Sequence, residues 1–289
     1  MDTLNFIQER PGLLLFLMAA LSLVVGSFLN VLIYRLPQMM KNAWSQECRQ
    51  YLGLKVTPTD TEGVNLWLPS SHCTQCKKHL KPWHNIPVIS YLFLRGCCAY
   101  CNARISARYP LVELISCLTS VYITIHFGPG WQMVYALLFT WILIALLFID
   151  IDHHLLPDSL TLLLLWIGLI ASTFHIFANA HDAIFGAVVG YLVFAILQAI
   201  FHMATGKTGM GQGDFKLLAA LGAFFGWQQL PILILLSSVI GLIFGLVHIG
   251  VRHQFKSVPI PFGPYLAIAG WICLFSGNDL LRVLTHHTF

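Results

Sequence analysis

Two aspartates lie at the ends of apolar runs, where a charged side chain is costly. Asp150 ends one apolar run and is the third residue of the string FIDIDHHLLPD. Asp214 directly follows GMGQG and begins another apolar run. Ionisable residues beside or within membrane-embedded segments are rare and usually functional. Two carboxyl groups that meet across a helix bundle can share one proton and activate a water molecule. These two residues therefore predict acid–base hydrolysis of a peptide bond at a membrane-embedded site.

Several acids compete for the first position of this pair. Asp150 and Asp152 are about 200° apart on a helix, so at most one of them faces a bundle interior. Asp158 follows Pro157 and precedes an apolar run, a position typical of a helix N-cap, and Asp152 fits a solvated loop. Glu113 is a more distant candidate. Asp150 is flush with its apolar run, but periodicity does not select it over Asp152.

The second position carries a stronger local pattern, because three glycines, Gly209, Gly211 and Gly213, closely precede Asp214. Glycine permits unusual backbone angles and the close approach of another chain. Irregular backbone at membrane depth is tolerated where it lines a cavity or is packed in protein. The spacing fits such a packed site and a flexible turn with a helix-capping aspartate equally well.

The composition indicates the elements that must position these residues. Of the 289 residues, 57% are hydrophobic and 10% are charged, whereas about 25% of residues are charged in a soluble domain. An all-α polytopic membrane protein of about eight transmembrane helices is expected. Apolar runs place the spans near 13–34, 111–127, 131–149, 160–178, 183–203, 214–230, 231–251 and 259–276. The sixth is the least regular, because it is short and contains Lys216.

The distribution of basic residues predicts the orientation in the membrane. The segment 35–108 holds ten of the sixteen lysines and arginines and three acids, and such loops stay in the cytoplasm. With eight spans, fourteen of the sixteen basic residues become cytoplasmic and both chain termini periplasmic. Asp150 and Asp214 then lie at the same, cytoplasmic, membrane face.

A cluster of cysteines in the same basic segment has the spacing of metal ligands. Cys73 and Cys76 form one CxxC unit and Cys98 and Cys101 a second, with residues 77–97 between them. Two such units predict a closed, structural zinc site of four thiolates. A redox pair and unlinked thiols are the alternatives, although a cytoplasmic location disfavours disulfides. Cys97 would leave a three-residue gap to Cys101, so Cys98 is the better ligand.

The chain resembles a known family in strings spread over nearly its whole length. They are GSFLNVLIYRLP near the start, NIPVISYLFLRG, ISARYPLVEL, FIDIDHHLLPD and GMGQGD, which are similar to those of the type IV prepilin peptidases, membrane proteases of the GxGD class. The resemblance implies that Asp150 and Asp214 are the catalytic aspartates and that the cysteine loop binds zinc. It also implies a second activity, N-methylation with S-adenosylmethionine, for which Gly96 is carried over as important.

These inferences predict a bacterial inner-membrane enzyme of three parts. Residues 1–34 would form the first transmembrane segment, 35–109 a cytoplasmic zinc-binding domain and 110–289 the aspartic protease domain. The expected substrates are type IV prepilins and type II secretion pseudopilins, cut at the cytoplasmic face. No nucleic-acid partner is expected, and the sequence sets no oligomeric state.

An ion-coupled transporter with intramembrane carboxylates is the competing class. A transporter has no need of the four-cysteine loop, and its charged sites usually lie near the membrane midplane. The two aspartates are expected at one face instead.

Overall fold

A computed structural model describes residues 11–54, 65–66, 73, 75–79, 87–207, 209–252 and 261–286. Within these residues the chain forms helices and no β-strand, so the expected all-α class is confirmed for the described part. The helices are α1 (Pro11–Tyr51), α2 (Ile89–Phe93), α3 (Arg108–Phe127), α4 (Trp131–His153), α5 (Asp158–Thr173), α6 (Ala180–Thr205), α7 (Gln212–Phe225), α8 (Leu230–Arg252) and α9 (Gly263–His286), with a 3-10 turn at Trp227–Gln229.

Five helical segments of the described chain are long and apolar enough to cross a membrane. They are Pro11–Tyr51, Arg108–Phe127, Trp131–His153, Ala180–Thr205 and Trp227–Val247. Two shorter apolar helices are Asp158–Thr173 and Gly263–Gly277. The expected total of eight spans is therefore not confirmed.

The predicted sixth span, 214–230, is shorter than expected, because α7 ends at Phe225. Its 14 residues extend about 21 Å along the helix axis, less than the roughly 30 Å of a bilayer's hydrocarbon core. Gly226, at a φ of 83°, ends the helix and leads into the 3-10 turn. The apolar run 214–230 therefore covers two separate elements, α7 and the 3-10 turn.

Contacts divide the chain into two compact units, residues 1–133 and 134–289. In the first, α1 and α3 run antiparallel. The Ser116 hydroxyl donates to the Ser22 carbonyl over 3.0 Å, and the Asn30 amide donates to the Tyr109 carbonyl over 3.0 Å. Between these two bonds, a Cβ added to Gly26 would lie 2.8 Å from the Glu113 Cα. Small side chains thus let the two helices approach closely, as is common in membrane bundles.

Helix α1 continues well past the end of the first apolar run. It reaches Tyr51 as a 41-residue helix with Pro37 inside it. The Arg35 guanidinium, just beyond the apolar part, donates to the carbonyls of Asn65 and Leu66 at 3.0 and 3.3 Å. The three-part division at 34 and 109 stays a prediction.

The second unit is built around α7, which is buried almost throughout. Every residue from Asp214 to Phe225 is buried except Lys216. Phe224 packs its ring against Phe139 of α4, with 4.6 Å between centroids. Lipid therefore does not surround α7; other helices do, so its apolar character is that of a protein core.

Glycines on the neighbouring helices make room for α7. Gly186 of α6 and Gly222 of α7 are in direct backbone contact, and a Cβ on Gly190 would lie 2.8 Å from the Leu218 carbonyl oxygen. A Cβ on Gly168 of α5 would lie 2.6 Å from the Phe224 ring. Backbone contact of this kind maximises van der Waals packing between membrane helices.

The substitution Gly186→Ala tests this packing. Its new methyl group meets the Gly222 backbone, so α6 and α7 must separate, at a cost of about 1–3 kcal/mol. That exceeds the roughly 0.5–1 kcal/mol by which alanine ordinarily favours a helix over glycine. We expect a lower Tm for the purified protein in detergent. Gly250→Ala is the control, because nothing lies within 4 Å of its added Cβ; an equal Tm for the two variants would contradict the packing.

Candidate active site and metal centre

Asp150 lies in the last turn of α4 with its side chain turned into the protein. It is 5% exposed, whereas Asp152 is exposed, which agrees with the expectation that only one of the two faces the interior. The backbone N–H of Gly263, the first residue of α9, donates to the Asp150 carboxylate. A Cβ added to Gly263 would lie 2.5 Å from Asp150 Oδ2, so this position has no room for a side chain.

Asp214 lies in the first turn of α7 and is 8% exposed. The helix has Gly211 as its N-cap residue, which makes Asp214 the third helical residue. Its backbone N–H donates to the Gly211 carbonyl over 3.2 Å, and its carboxylate accepts the Gly211 N–H. This is the backward half of a capping box. The expected capping role and the burial of the carboxyl group therefore occur together, whereas Gly209 and Gly211 of the glycine stretch are exposed.

The two carboxylates converge on the same end of the helix bundle. Asp150 and Asp214 are close enough to interact electrostatically. Leu156, in the connection between α4 and α5, packs beside Gly213 and Gly263, the glycines next to Asp214 and against Asp150. Its Cβ lies 2.6 Å from the position of a Cβ on Gly213, and its Cδ1 lies 3.1 Å from one on Gly263. Each carboxylate thus sits at a helix N-terminus against glycine backbone, and positive dipole ends favour the charged form there.

The arrangement suits a pair that works with a single proton. Two buried carboxyl groups that interact repel each other when both are charged, which favours a state with one proton between them. A pair in that state can supply both a general base and a general acid. The helix N-termini stabilise the charged member, and the surrounding apolar side chains stabilise the neutral one.

Asp158 is not the N-cap that its position after Pro157 suggests. Pro157 itself is the N-cap residue of α5, and no side chain caps this helix end. The Asp158 carboxylate instead accepts two hydrogen bonds from Lys216 Nζ, both 2.7 Å long. Sequence reasoning missed this pair, which joins the first residue of α5 to the second turn of α7, two residues from Asp214. Only the contact between distant segments reveals it.

The four predicted metal ligands come together in the first unit. The sulfur atoms of Cys73, Cys76, Cys98 and Cys101 all lie within 4.8 Å of one another. Cys73 Sγ and Cys101 Sγ are 3.8 Å apart, which equals the separation of about 3.8 Å expected for two thiolates on one tetrahedral zinc ion. The donor set therefore fits a closed metal site of four sulfurs.

The two CxxC units have matching backbone geometry. The N–H of Lys77 donates to the Cys73 carbonyl over 3.0 Å, and the N–H of Asn102 donates to the Cys98 carbonyl over 3.0 Å. Lys77 and Asn102 have φ angles of 57° and 55°, in the left-handed region that few residues adopt. The same tight turn thus follows both units, so each turn presents its two sulfurs to a common centre.

Backbone N–H groups also favour the thiolate form of Cys73, in the first CxxC pair. Hydrogen bonds from the backbone of Cys76 and Gln75 lower the pKa of Cys73 to about 6. In the second unit, the Tyr100 N–H donates to Cys98 Sγ over 3.5 Å. Metals bind thiolates rather than thiols, so this backbone geometry prepares Cys73 as a ligand. Cys97 is not among the clustered sulfurs.

Gly96 occupies a constrained turn between α2 and the second CxxC unit. Its φ is 70°, and a Cβ would lie 2.9 Å from the Tyr91 hydroxyl oxygen. Its carbonyl accepts the Ile105 N–H over 2.7 Å. A larger residue would be strained by both backbone angle and contact, which accounts for glycine at this position.

The chain is similar to known proteins over nearly its whole length. Residues 20–127 match the family model of the bacterial peptidase A24 N-terminal domain, and residues 137–246 match that of the type IV leader peptidase family. A prepilin leader peptidase/N-methyltransferase of Pseudomonas aeruginosa is 51% identical, over 98% of this chain and 97% of the relative. Proteins of the same name from Aeromonas salmonicida and Legionella pneumophila are 51% and 44% identical, each over 96% of both chains.

These matches first define a class, the bacterial A24 peptidases. The chain belongs to the type IV leader peptidase family, and the family resemblance read from the sequence is confirmed. No solved structure matches the chain.

Metal content tests the cysteine cluster. We expect one metal ion per chain in the purified protein, measured by inductively coupled plasma mass spectrometry, and its loss in Cys98→Ser, because a serine hydroxyl is a poor ligand in a thiolate site. Cys97→Ser is the matched control, one residue away and outside the cluster, and should keep the metal. Retention in Cys98→Ser or loss in Cys97→Ser would contradict the assigned ligand set.

Proposed function

We propose that this inner-membrane protein cleaves the leader peptides of type IV prepilins and type II secretion pseudopilins and N-methylates the new N-terminal residue. Relatives named for both activities cover nearly the whole chain at 44–51% identity. The observation that carries the peptidase assignment is the convergence of Asp150 and Asp214, both buried and each held by a glycine N–H at a helix N-terminus.

Hydrolysis would proceed without a covalent enzyme intermediate. The charged carboxylate of the Asp150–Asp214 pair removes a proton from water as the water oxygen bonds to the scissile carbonyl carbon. The protonated carboxyl group gives its proton to the carbonyl oxygen. When the tetrahedral intermediate collapses, the protonated carboxyl group gives its proton to the departing nitrogen as the carbon–nitrogen bond breaks. The other carboxylate takes a proton from a hydroxyl group of the intermediate, which becomes the product carboxyl group. The pair is then left with one proton, as at the start.

The charge distribution supports cleavage at the cytoplasmic face. The basic segment 35–108 would remain in the cytoplasm, and the site would open to the same side with both chain termini periplasmic. The apolar segment of a prepilin would enter laterally among the helices and present its leader junction to the carboxylates. Both aspartates lie near helix ends rather than in mid-helix, which disfavours the ion-transport alternative.

Zinc is the metal that we propose for the four-sulfur centre. Four thiolates in a tetrahedral arrangement complete its coordination and leave no position for substrate, so the ion would stabilise the loop. A segment of this size often needs such a link, because its own apolar core is small. S-adenosylmethionine would supply the methyl group for the second reaction, and we propose that the turn at Gly96 contributes to it.

Substitution of each aspartate tests the peptidase mechanism. In Asp150→Asn and Asp214→Asn the pair can no longer hold one negative charge and one proton in the same arrangement, so we expect cleavage of a purified prepilin to fall at least about 100-fold. Asp152→Asn is the matched control and should keep normal cleavage, because Asp152 is exposed.

The readout is the shift of the prepilin on a gel after incubation with the purified enzyme. Normal cleavage by either the Asp150→Asn or the Asp214→Asn enzyme would exclude the substituted aspartate from the catalytic pair. An inactive Asp152→Asn enzyme would show that the neighbour was chosen wrongly.

A further inference from the structure

We propose that the short helix α2 is a membrane-surface anchor, which rests on the lipid bilayer where α1 and α3 enter it. The proposal goes beyond the peptidase and methyltransferase reactions. It concerns the exposed apolar side chains of α2, to which neither proposed reaction assigns a role. The partner that we assign to them is the lipid surface.

The first observation is an apolar face that the protein leaves open. Ile89, Leu92 and Phe93 are 49%, 69% and 84% exposed. They lie together on one side of a five-residue helix, while Ser90 and Tyr91 are half-buried. Exposed apolar surface costs about 25 cal/mol per Å² in water. A cluster of three such side chains therefore indicates contact with an apolar partner.

The second observation is the position along α3 at which α2 begins. The backbone N–H of Val88, which directly precedes α2, donates to the Glu113 carboxylate over 2.7 Å. Glu113 is five residues inside α3, a helix long and apolar enough to cross a membrane, or about 7–8 Å from its first residue. Interfacial helices bury their apolar faces about 5–10 Å into the boundary between headgroups and acyl chains. The bond thus places α2 at the depth of that boundary.

Glu113 is itself fixed in place, so the depth of α2 is well defined. It is 7% exposed, and its carboxylate has hydrogen bonds with the side chains of Ser27 and Asn30 of α1. Val88 has a φ of 56°, an unusual value for a β-branched residue. The hydrogen bond to Glu113 compensates for this strain, and Glu113 is therefore a positioning residue for the anchor.

The third observation is the charge around α2. The stretch 87–112 contains Arg95, Arg104 and Arg108 and no acidic residue. Arg95 and Arg104 are exposed. Basic residues beside a membrane are attracted to anionic lipids by about 1 kcal/mol each. Apolar side chains with arginines close behind them match an acyl boundary covered by negatively charged headgroups, whereas the uncharged apolar segment of a protein substrate gives the arginines no partner.

Photo-crosslinking of the full chain tests the anchor. p-Benzoylphenylalanine replaces Phe93 in protein reconstituted into vesicles of phosphatidylethanolamine and phosphatidylglycerol, and adducts are identified by mass spectrometry. Phe16, in the apolar part of α1 and 69% exposed, is the positive control. Tyr51 is the negative control: it is 93% exposed and lies about 31 Å along α1 beyond Asn30. Each replacement exchanges one aromatic residue for another.

We expect phospholipid adducts at position 93 at the level of position 16, with none at position 51. Absence of lipid adducts at position 93 would overturn the proposal. Crosslinking of position 93 to an added prepilin and not to lipid would also overturn it. Cleavage of the prepilin by the same preparations is measured separately, so that failure of the anchor is distinguished from failure of the peptidase assignment.

Two substitutions of Glu113 test how the anchor is positioned. Glu113→Gln keeps an oxygen that accepts the Val88 N–H and should retain lipid adducts at position 93. Glu113→Leu removes the acceptor, so the adducts should be lost while the metal content of the cysteine cluster shows that the loop is folded. Unchanged adducts in Glu113→Leu would overturn the assignment of Glu113 as the positioning residue.

Discussion

The burial of two carboxyl groups among apolar helices is the constraint on which the second unit depends. An isolated charge in such surroundings is costly unless polar partners stabilise it. Here the partners are backbone N–H groups of Gly263 and Gly211 at the starts of α9 and α7. The aspartates therefore need two helix N-termini beside them, and this need determines where the polypeptide must turn.

The glycines of this region follow from the same constraint. A side chain on Gly263 would collide with the Asp150 carboxylate, and one on Gly213 would collide with Leu156. Farther along α7, Gly222 contacts Gly186 of α6, so the backbones of the two helices touch. The helix that carries Asp214 is thus buried in protein from Asp214 to Phe225, with Lys216 as the exception. A rigid support of this kind suits the catalytic role that we propose for the pair.

The sequence predicted the helical class and the main chemical groups because both depend on local patterns. Apolar run length identified the long spans, and the spacing of the CxxC units identified four sulfurs that the structure brings together. Helical spacing predicted that Asp150 and Asp152 face different environments, and the structure buries Asp150 and exposes Asp152. These inferences need only neighbouring residues.

The errors concern features that arise between distant segments. Hydropathy does not distinguish a helix surrounded by lipid from one surrounded by protein, so the predicted sixth span, 214–230, was too long. Asp158 was assigned as an N-cap because Lys216, its partner, is far away in sequence. The position of α2 along α3 depends on the hydrogen bond from Val88 to Glu113, which no local sequence pattern predicts. Predicting each of these requires knowledge of which helices are in contact.

The central claim is that Asp150 and Asp214 act as one catalytic unit, and a double-mutant cycle on the rate of prepilin cleavage tests it most directly. Residual rates are compared for Asp150→Asn, Asp214→Asn and the double variant. Groups that act together are strongly non-additive, so the double variant should be no slower than the slower single variant. If the two losses instead multiply, the carboxylates act independently and the shared-proton mechanism is contradicted.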